Sequence, residues 1–515
     1  MTAAGVAYVA VNVAEPCRMS ALVYLTCAMT ETKLASNLLQ QQAYVNGEWI
    51  DAEDGRRFDI RNPVDGQVLA KVADCGVAET RRAIEAAEAA LPDWQAQTAK
   101  ARADILRRWF DLVMQHQDAL AALLTAEQGK VLSEAKGEIA YGAHYLEWFA
   151  EEAKRIDGDI LAAPSQDQRV LVLKRPVGVV AAITPWNFPL HQIVGKVAPA
   201  LAAGCTMVLK PSKEAPLNAF LLADILHDIG LPPGVFNLVS GHGSEVGEFL
   251  SGHPDVDMVS FTGSTGAGIR VSQAAAPTVK RVTLELGGKS ANVILDDADV
   301  IRAAKSSIGA CYQNSGQTCS ALTRLIIPVA HKEEILELVK QRVEGYTPGN
   351  PLDENTRCGP MVSSKQQASV HNYIQSAIDE GATLIAGGTE MPDGIETGFF
   401  VRPTAFADVT PDMTIWKEEV FGPVLTITTY QSEEEALSLA NDSIYGLSGG
   451  VWSGDTERAM EFAKGMRTGQ VSINGGPFNV SAPFGGYKQS GNGRELGVEG
   501  LDEFLEIKAI QRPIE

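Results

Sequence analysis

Apolar strands and helices alternate regularly between residues 177 and 286, and this pattern constrains the fold more than any other feature of the sequence. It predicts strands over 177–183, 206–210, 235–239, 257–261 and 281–286, and helices over 190–203, 217–229, 244–250 and 265–275. Strands that are apolar throughout and alternate with helices indicate a parallel sheet covered on both faces. We therefore expect a doubly wound α/β architecture that binds its ligands at the carboxyl ends of the strands.

Other segments flank this pattern. Residues 292–295 are expected to continue the sheet into a second α/β region over about 299–484. The remaining predicted elements are a hairpin at Asn46–Gly47, short strands over 58–73, helices over 78–149, an exposed β-hairpin over 158–175, helices over 300–311, 332–343 and 364–380, a loop over 475–493 and a C-terminal strand over 504–512.

Charge and cysteine usage limit the partners. The 515 residues carry a net charge of −21, which argues against nucleic acid or an anionic membrane as the main partner. The seven cysteines are scattered, with no CxxC pair and no Cys/His cluster. We therefore expect a reduced, cytoplasmic protein of two or three domains without a structural metal.

The N-terminal residues are expected to lie outside the fold. The apolar run from Met19 to Met29 follows Arg18 and is too short to span a bilayer, which needs about 20 residues. Residues 1–14 lack the positive charge of a secretory signal. We expect a disordered extension over 1–35, or a start codon assigned too early with Met29 as the true start.

A single cysteine lies on a small polar turn, QNSGQTCS, at residues 313–320. Cysteine in a soluble protein is often a small buried hydrophobe, and that alternative applies to any one thiol. The neighbours here offer hydrogen bonds instead of hydrophobic packing, as reactive thiols require. The turn therefore predicts that Cys319 is a nucleophile.

Two further motifs supply polar side chains at strand ends. TPWNFP, residues 184–189, follows the strand over 177–183, and its two prolines would fix Asn187 as a donor to an oxyanion. Glu285 ends an apolar strand before two glycines, where burial would raise its pKa and suit a general base. The alternatives are a plain strand-to-helix turn for Asn187 and a capped, solvated carboxylate for Glu285.

A nucleotide site is suggested by KPSK at 210–213 and FTGSTGAG at 261–268, each after a strand. Glycines at a strand-to-helix turn let backbone amides approach a pyrophosphate. The spacing is not GxGxxG, so this indication is weak by itself.

Together with LELGGKS (284–290), EEVFGP (418–423) and PFGGYKQSG (483–491), these motifs closely resemble those of the NAD(P)-dependent aldehyde dehydrogenase superfamily, in the family's order and from about residue 40 to the end. The resemblance implies a Rossmann-like cofactor domain over 36–157 and 177–285 and an α/β catalytic domain over 286–484. It also implies an oligomerisation element over 158–176 and 485–515, which would join subunits into a homodimer or homotetramer.

The resemblance also implies a mechanism. Cys319 would attack an aldehyde to give a thiohemiacetal whose oxyanion is held by Asn187 and the Cys319 amide. Hydride transfer to the nicotinamide would leave a thioester, and Glu285 would activate water to hydrolyse it to the acid. Lys196 and Glu495 match family positions that relay the proton, although in sequence they look like ordinary surface charges.

The resemblance assigns cofactor contacts to Thr184, Pro185, Trp186, Asn187, Lys210, Ser212, Lys213, Gly243, Gly263, Ser264, Gly268, Glu285, Leu286, Gly287, Glu419 and Phe421. Lys213 departs from many NAD-using members, which have a glutamate there that binds the adenine ribose. Lysine offers only donors and suits a 2′-phosphate, so we expect NADP in preference to NAD.

Residues 127–158 are most similar to succinate-semialdehyde dehydrogenases. Arg155 matches one of the two arginines that hold the substrate carboxylate there, but the second arginine is replaced by Gln313. Glutamine cannot form the two parallel hydrogen bonds by which arginine binds a carboxylate. An uncharged aliphatic or aromatic aldehyde is therefore a competing candidate for the substrate. Phe188 and Phe478 are the other expected substrate contacts. A CoA-acylating enzyme, which usually lacks the base, and a non-catalytic member of the fold are the remaining alternatives.

Overall fold

The computed structural model describes residues 39–514, so the predicted extension over 1–35 lies outside the described residues. Its strands are β1 Ala43–Val45, β2 Glu48–Ile50, β3 Arg57–Arg61, β4 Val68–Ala73, β5 Asp159–Leu161, β6 Gln168–Pro176, β7 Val179–Ile183, β8 Thr206–Lys210, β9 Phe236–Leu238, β10 Met258–Thr262, β11 Arg281–Glu285, β12 Ala291–Ile294, β13 Arg324–Pro328, β14 Thr383–Ala386, β15 Thr404–Ala407, β16 Val424–Tyr430, β17 Ser448–Trp452, β18 Gln470–Ile473, β19 Gly491–Asn492 and β20 Leu505–Pro513.

The helices are α1 Val77–Ala96, α2 Ala99–Gln115, α3 Gln117–Gln128, α4 Leu132–Glu152, α5 Pro189–Ala203, α6 Leu217–Asp228, α7 Glu248–Gly252, α8 Thr265–Ala275, α9 Val300–Tyr312, α10 Lys332–Glu344, α11 Ser364–Asp379, α12 Thr414–Lys417, α13 Glu433–Asn441, α14 Thr456–Gly465 and α15 Gly497–Asp502. Within the part of the chain that the structure describes, no helix combines the length and the apolar character needed to cross a bilayer.

The first sheet has eight strands in the order β19-β11-β10-β7-β8-β9-β1-β2. Its five central strands, β11 to β9 in that order, are parallel, as the alternating sequence predicted. The helices α1, α5, α6 and α8 pack on its faces, and β7, β8 and β10 are buried along their full length. The doubly wound architecture is therefore confirmed, and the carboxyl ends of β7, β8, β10 and β11 lie at one edge.

The second sheet has seven strands in the order β14-β15-β16-β13-β12-β17-β18. The strand predicted over 292–295 lies near its middle, between β13 and β17, so the expectation that it continues the first sheet was wrong. Gly287 and Gly288 separate β11 from β12 and allow the chain to leave one sheet and enter the other. An added Cβ at Gly288 would lie 2.4 Å from the Cys319 carbonyl oxygen, which explains the glycine there.

A third sheet joins the predicted hairpin to the C-terminal strand in the order β20-β6-β5. The strands β6 and β20 pair antiparallel over nine residues each. Several apolar side chains of this sheet are exposed in the single chain, including Ile160 of β5 (68%) and Ile507 of β20 (72%). An exposed sheet with apolar side chains needs cover from another surface.

The N-terminal hairpin also has the predicted turn. Asn46 and Gly47 both have positive φ values, 53° and 81°, as a two-residue type I′ turn requires. The pairing of β1 with β9 attaches this hairpin to the edge of the first sheet.

Candidate active site

The nucleophile turn, residues 313–320, follows α9 directly and has an unusual backbone. Asn314, Ser315 and Gly316 have φ values of 51°, 54° and 75°, three successive left-handed residues. An added Cβ at Gly316 would lie 2.0 Å from the carbonyl oxygen of Gly422, so only glycine fits this contact. Left-handed non-glycine residues cost free energy and persist where the surrounding structure holds them.

Hydrogen bonds hold this turn in place. Gln317 donates from Nε2 to the Asn314 carbonyl oxygen (3.2 Å), and its Oε1 accepts from the amide of Val362 (3.0 Å). The Ser315 hydroxyl donates to the carbonyl oxygen of Gly359 (2.9 Å). The polar residues of QNSGQTC thus fix the backbone that carries Cys319.

Cys319 is partly exposed and lines a cavity. Among the cysteines that the structure describes, the others are buried: Cys75, Cys205, Cys311 and Cys358. Low-dielectric surroundings raise the pKa of the Cys319 thiol, and the nearby carboxyl groups of Glu419, Glu285 and Glu495 raise it further. The thiol is therefore protonated at neutral pH in this state and needs a base to become nucleophilic.

The turn after β7 places Asn187 beside the nucleophile turn. Asn187 is buried, and its Nδ2 donates to the carbonyl oxygen of Gln317 (3.1 Å), two residues before Cys319. An amide nitrogen carries two N–H groups, which leaves the second for a substrate oxygen. The segment does connect β7 to α5, but it also brings a side-chain amide to the nucleophile.

Glu285 ends β11 at the edge where the two sheets meet. Both carboxyl oxygens are buried and, within residues 39–514, accept no hydrogen bond. Burial raises the pKa of Glu285 well above 4.5, and the Glu495 carboxyl raises it further. The solvated alternative is thereby excluded, and the direction of the pKa shift is the one that a general base requires.

Lys196 and Glu495 form a buried ion pair, so their description as surface charges was wrong. The Lys196 ammonium is hydrogen-bonded to Glu495 Oε1 and lies 3.2 Å from the Ser260 hydroxyl. The two residues are 299 positions apart, and their pairing follows from the fold rather than from any local pattern. Glu495 also lines the cavity at Cys319.

The cofactor residues predicted at β8 lie together. Burial and the neighbouring Lys213 ammonium lower the pKa of Lys210 to about 8. Among the described residues, the Lys210 ammonium donates only to the Pro211 carbonyl oxygen (3.1 Å), although it has three N–H groups. Ser212 is a turn residue that accepts from the Glu214 amide (3.3 Å), and the Lys213 side chain is 47% exposed.

An apolar cavity of about 310 Å³ lies between the turn at Gly243 and α8, and of the predicted cofactor residues only Gly243 lines it. Ile183, Phe261, Ala267 and Val271 supply its apolar walls. Gly243 begins the helical turn at one side with open space where a Cβ would stand, and Ser264 caps α8 at the other. An added Cβ at Gly268 would lie 2.6 Å from the Leu286 side chain, so this glycine allows close packing of helix on strand.

The remaining predicted cofactor residues meet between the two sheets. The Glu419 carboxylate accepts from the Gly288 amide (3.1 Å), and burial raises the pKa of Glu419 to about 7. An added Cβ at Gly287 would lie 2.2 Å from the same carboxylate. The rings of Trp186 and Phe421 meet edge to face with centroids 5.2 Å apart.

These residues fit a nicotinamide dinucleotide. The apolar slot suits a flat base, and the amides at the start of α8 suit a pyrophosphate. The buried Lys210 ammonium has donors to spare, and the buried Thr184 hydroxyl has no partner among the described residues. Pro185 lies between Thr184 and Trp186 and fixes the direction of this turn.

A second cavity, of about 410 Å³, opens in front of Cys319, and we call it the aldehyde cavity. Its lining includes the predicted Phe188, Gln313 and Phe478. Arg155 does not line it, because Arg155 pairs with Glu152 (3.0 Å) at the end of α4. No arginine lines the cavity in the described part of the chain.

Several lining residues were missed by sequence reasoning. The helix α4 and the residues just before it supply Lys130, Glu134, Glu138 and Tyr141, and the first turns of α5 supply His191. The four-residue spacing of Glu134 and Glu138, with Lys130 four residues before Glu134, was the available signal, because it places the two carboxyl groups on one face of α4 with a lysine just before the helix.

Comparison with known proteins agrees with this geometry. Residues 49–510 match the model of the aldehyde dehydrogenase family. The chain is 44% identical to the glutarate-semialdehyde dehydrogenase of Pseudomonas putida and to the NADP(+) succinate-semialdehyde dehydrogenase GabD of Escherichia coli, over 92% of this chain and 98% of each relative. It also matches the crystal structure of a mutant of aldehyde dehydrogenase C from Pseudomonas syringae, in complex with NAD+ and octanal, with a TM-score of 0.89 at 43% identity, over 92% of this chain and 96% of that one.

Proposed function

Because the chain belongs to the aldehyde dehydrogenase family, we propose that it oxidises an uncharged aliphatic or aromatic aldehyde to the carboxylic acid through Cys319 and favours NADP over NAD. The lining of the aldehyde cavity carries this proposal. Tyr141, Phe188, Phe478 and Phe484 give it an aromatic wall. The charged groups of the lining are one ammonium, Lys130, and the carboxyl groups of Glu134, Glu138 and Glu495, which disfavour a substrate with a second carboxylate.

In this mechanism Cys319 acts first. Its thiol loses a proton to the buried Glu285 carboxylate, and the sulfur bonds to the aldehyde carbon to give a thiohemiacetal. The second N–H of Asn187 Nδ2 and the Cys319 amide donate to the resulting oxyanion. A bound nicotinamide dinucleotide supplies the two-electron acceptor for the oxidation.

After oxidation the acyl group is held on the Cys319 sulfur as a thioester. Glu285 takes a proton from a water molecule, whose oxygen attacks the thioester carbon and releases the carboxylic acid and the thiolate. The buried Lys196–Glu495 pair lies beside Glu285 and affects its pKa, so we assign it to moving the proton away. In this proposal residues 36–157 and 177–285 hold the cofactor and residues 286–484 carry the nucleophile.

The cofactor preference rests on Lys213. Its exposed ammonium lies at the end of β8 beside Lys210, where it would meet a 2′-phosphate. The Escherichia coli relative is named for NADP(+), and the Pseudomonas syringae structure contains NAD+.

A semialdehyde is the second candidate substrate. The observation in its favour is the 44% identity to succinate- and glutarate-semialdehyde dehydrogenases. A CoA-acylating activity is disfavoured because Glu285 is present and buried at the site. We also propose a homo-oligomer in which the sheet of β5, β6 and β20 is covered by another subunit, and a reducing, cytoplasmic location.

A steady-state panel tests the proposal. Hexanal, octanal, benzaldehyde, succinate semialdehyde and glutarate semialdehyde are each assayed with NADP and with NAD, with and without CoA, by NAD(P)H absorbance. We expect the highest kcat/KM with an uncharged aldehyde and NADP and no acyl-CoA product. A higher kcat/KM for a semialdehyde, or a tenfold preference for NAD, would overturn the corresponding part of the proposal.

A further inference from the structure

Three charged residues lie together beside the active site, and we call them the Lys130 cluster: Lys130, Glu134 and Glu138. The side chains of Lys130 and Glu138 are fully buried, and the Lys130 ammonium is hydrogen-bonded to Glu138 Oε2. The same ammonium lies 3.6 Å from the centre of the Phe188 ring. The mechanism proposed above uses none of these three groups.

The cluster contacts the Asn187 turn on two sides. The Lys130 ammonium donates to the Asn187 carbonyl oxygen (2.9 Å). Glu138 Oε1 accepts from the amides of Leu190 (3.0 Å) and His191 (3.2 Å), which are unpaired donors of the first turn of α5. A negative charge at a helix N-terminus is favourable, so Glu138 fixes the start of α5 from another helix.

The cluster also contacts the nucleophile turn. Glu134 Oε2 accepts from the Asn314 amide (2.9 Å), where the backbone is left-handed. The Asn314 side chain donates to the carbonyl oxygens of Asn187 (2.8 Å) and Gln317 (3.1 Å). The Asn187 carbonyl therefore lies between Lys130 and Asn314, and the two turns that would bind the oxyanion share one buried network.

A buried ion pair is poor evidence for a gain in stability, because removing two charges from water offsets most of their attraction. It does fix geometry, since each group accepts few arrangements once it is buried. A small displacement of an oxyanion donor is enough to lower the rate about 100-fold.

We propose that Lys130 and Glu138 are positioning residues, which hold the Asn187 turn so that its side-chain amide points at the oxyanion formed on Cys319. This inference rests on the proposed function, because it acts through the oxyanion role of Asn187. Such an interaction is made in the transition state, so losing it lowers kcat and leaves KM nearly unchanged.

The test is a double-mutant cycle in the full-length enzyme. The variants are Lys130→Met, Glu138→Gln, Asn187→Ala and the doubles Lys130→Met/Asn187→Ala and Glu138→Gln/Asn187→Ala. We expect each Lys130 cluster single variant to lower kcat by about 10- to 100-fold with KM within about threefold. Each double variant should be no slower than Asn187→Ala, because a positioning residue has nothing left to position.

Glu127→Gln is the matched control. Glu127 is also a buried carboxyl, and it accepts from the amides of Leu217 (2.6 Å) and Asn218 (3.0 Å) at the start of α6, away from the aldehyde cavity. The Glu127→Gln variant should have a lower unfolding temperature but the kcat of the wild type. Should Lys130→Met not fold, Glu138→Gln carries the test, with Lys130→Arg as the conservative variant expected to retain part of kcat.

The outcomes separate the inference from the proposed function. Wild-type kcat in Glu138→Gln, or losses that multiply with that of Asn187→Ala, would overturn the positioning role. A rise in KM confined to the semialdehydes would overturn it as well and make Lys130 a substrate contact. Wild-type kcat in Asn187→Ala itself would instead contradict the proposed oxyanion site.

Discussion

The two ends of the aldehyde cavity are built differently. The inner end carries Cys319 on its polar turn, with the Asn187 amide 3.1 Å from a carbonyl oxygen of that turn and the Glu285 carboxyl close by at the end of β11. The outer end is lined by aromatic side chains from α4 and from the loop around Phe478, whose ring centre lies 5.4 Å from that of Tyr141. In the function proposed above, the inner end determines the reaction and the outer end selects the aldehyde.

The imidazole of His191, which lines the same cavity, is also uncharged. Burial lowers the pKa of His191 to about 3, so the imidazole is neutral at physiological pH and is hydrogen-bonded to the Tyr145 hydroxyl (2.8 Å). Aromatic rings together with an uncharged imidazole suit an apolar substrate tail.

The largest expected effect comes from the inner end. Cys319→Ser should lower kcat/KM by roughly 10⁴-fold or more, because a hydroxyl is a far weaker nucleophile than a thiolate in the same place. Cys205→Ser is the control, since Cys205 is buried beside Phe504 with its sulfur 3.5 Å from that carbonyl oxygen and should keep wild-type kinetics. Comparable rates for Cys319→Ser and wild type, measured by NADPH absorbance, would show that Cys319 is not the nucleophile.

The pH dependence comes next in size. The pKa of Glu285 is raised by burial, and in the proposed mechanism Glu285 must be ionised to take the Cys319 proton, so activity should be low in acid and rise with pH. We expect kcat/KM to rise by up to about tenfold per pH unit on the acidic side of the optimum. A profile that is flat down to about pH 5, where an ordinary carboxyl is already ionised, would show that burial does not control the base.

A smaller effect, on cofactor preference, is expected at Lys213. Lys213→Glu should shift the ratio of kcat/KM for NADP over NAD about tenfold or more toward NAD, because a carboxylate repels a 2′-phosphate and accepts from ribose hydroxyls. Lys100→Glu makes the same change of charge on the exposed side of α2 and should leave the ratio unaltered. If Lys213→Glu leaves the ratio of kcat/KM for NADP over NAD unchanged, another residue distinguishes the 2′-phosphate from the 2′-hydroxyl.

The smallest expected effect lies at the outer end. Gln313→Arg should raise kcat/KM for succinate semialdehyde about fivefold, because a guanidinium group binds a carboxylate through two hydrogen bonds. Gln313→Met, of similar length and uncharged, should give no such gain. A lower kcat/KM for octanal without a higher kcat/KM for succinate semialdehyde would indicate that the residue at position 313 limits the size of the substrate and does not bind its carboxylate.

The sequence predicted the inner end better than the outer end for physical reasons. Proline, glycine and polar residues at the ends of apolar strands mark turns whose direction is nearly set by the local backbone, as at residues 184–189 and 313–320. By contrast, Tyr141 and Tyr145 occupy α4 at a four-residue spacing that is typical of any buried helix face. Whether such a face packs in a core or lines a cavity depends on what the rest of the chain places opposite it.

Residues that are far apart in sequence and meet only in the folded chain also limit what the sequence can predict. The charges of Lys196 and Glu495 look solvated in sequence, and they are largely buried only because the fold brings together two residues that are 299 positions apart. The strand β12 has an ordinary apolar pattern, and its place in the second sheet depends on the turn at Gly287 and Gly288, which no periodicity predicts.

The central claim is that Cys319 carries the acyl group and that Glu285 is needed to release it, and one measurement tests both. Glu285→Gln keeps the size of the side chain but cannot accept a proton, so with octanal and NADP it should complete one slow oxidation, in which solvent takes the thiol proton, and then stop at the acyl-enzyme. Intact-mass and peptide mass spectrometry should then show an octanoyl adduct on Cys319, and NADPH formation should level off at one equivalent per active site. Continued turnover at the wild-type rate, or an adduct on a different residue, would contradict the account.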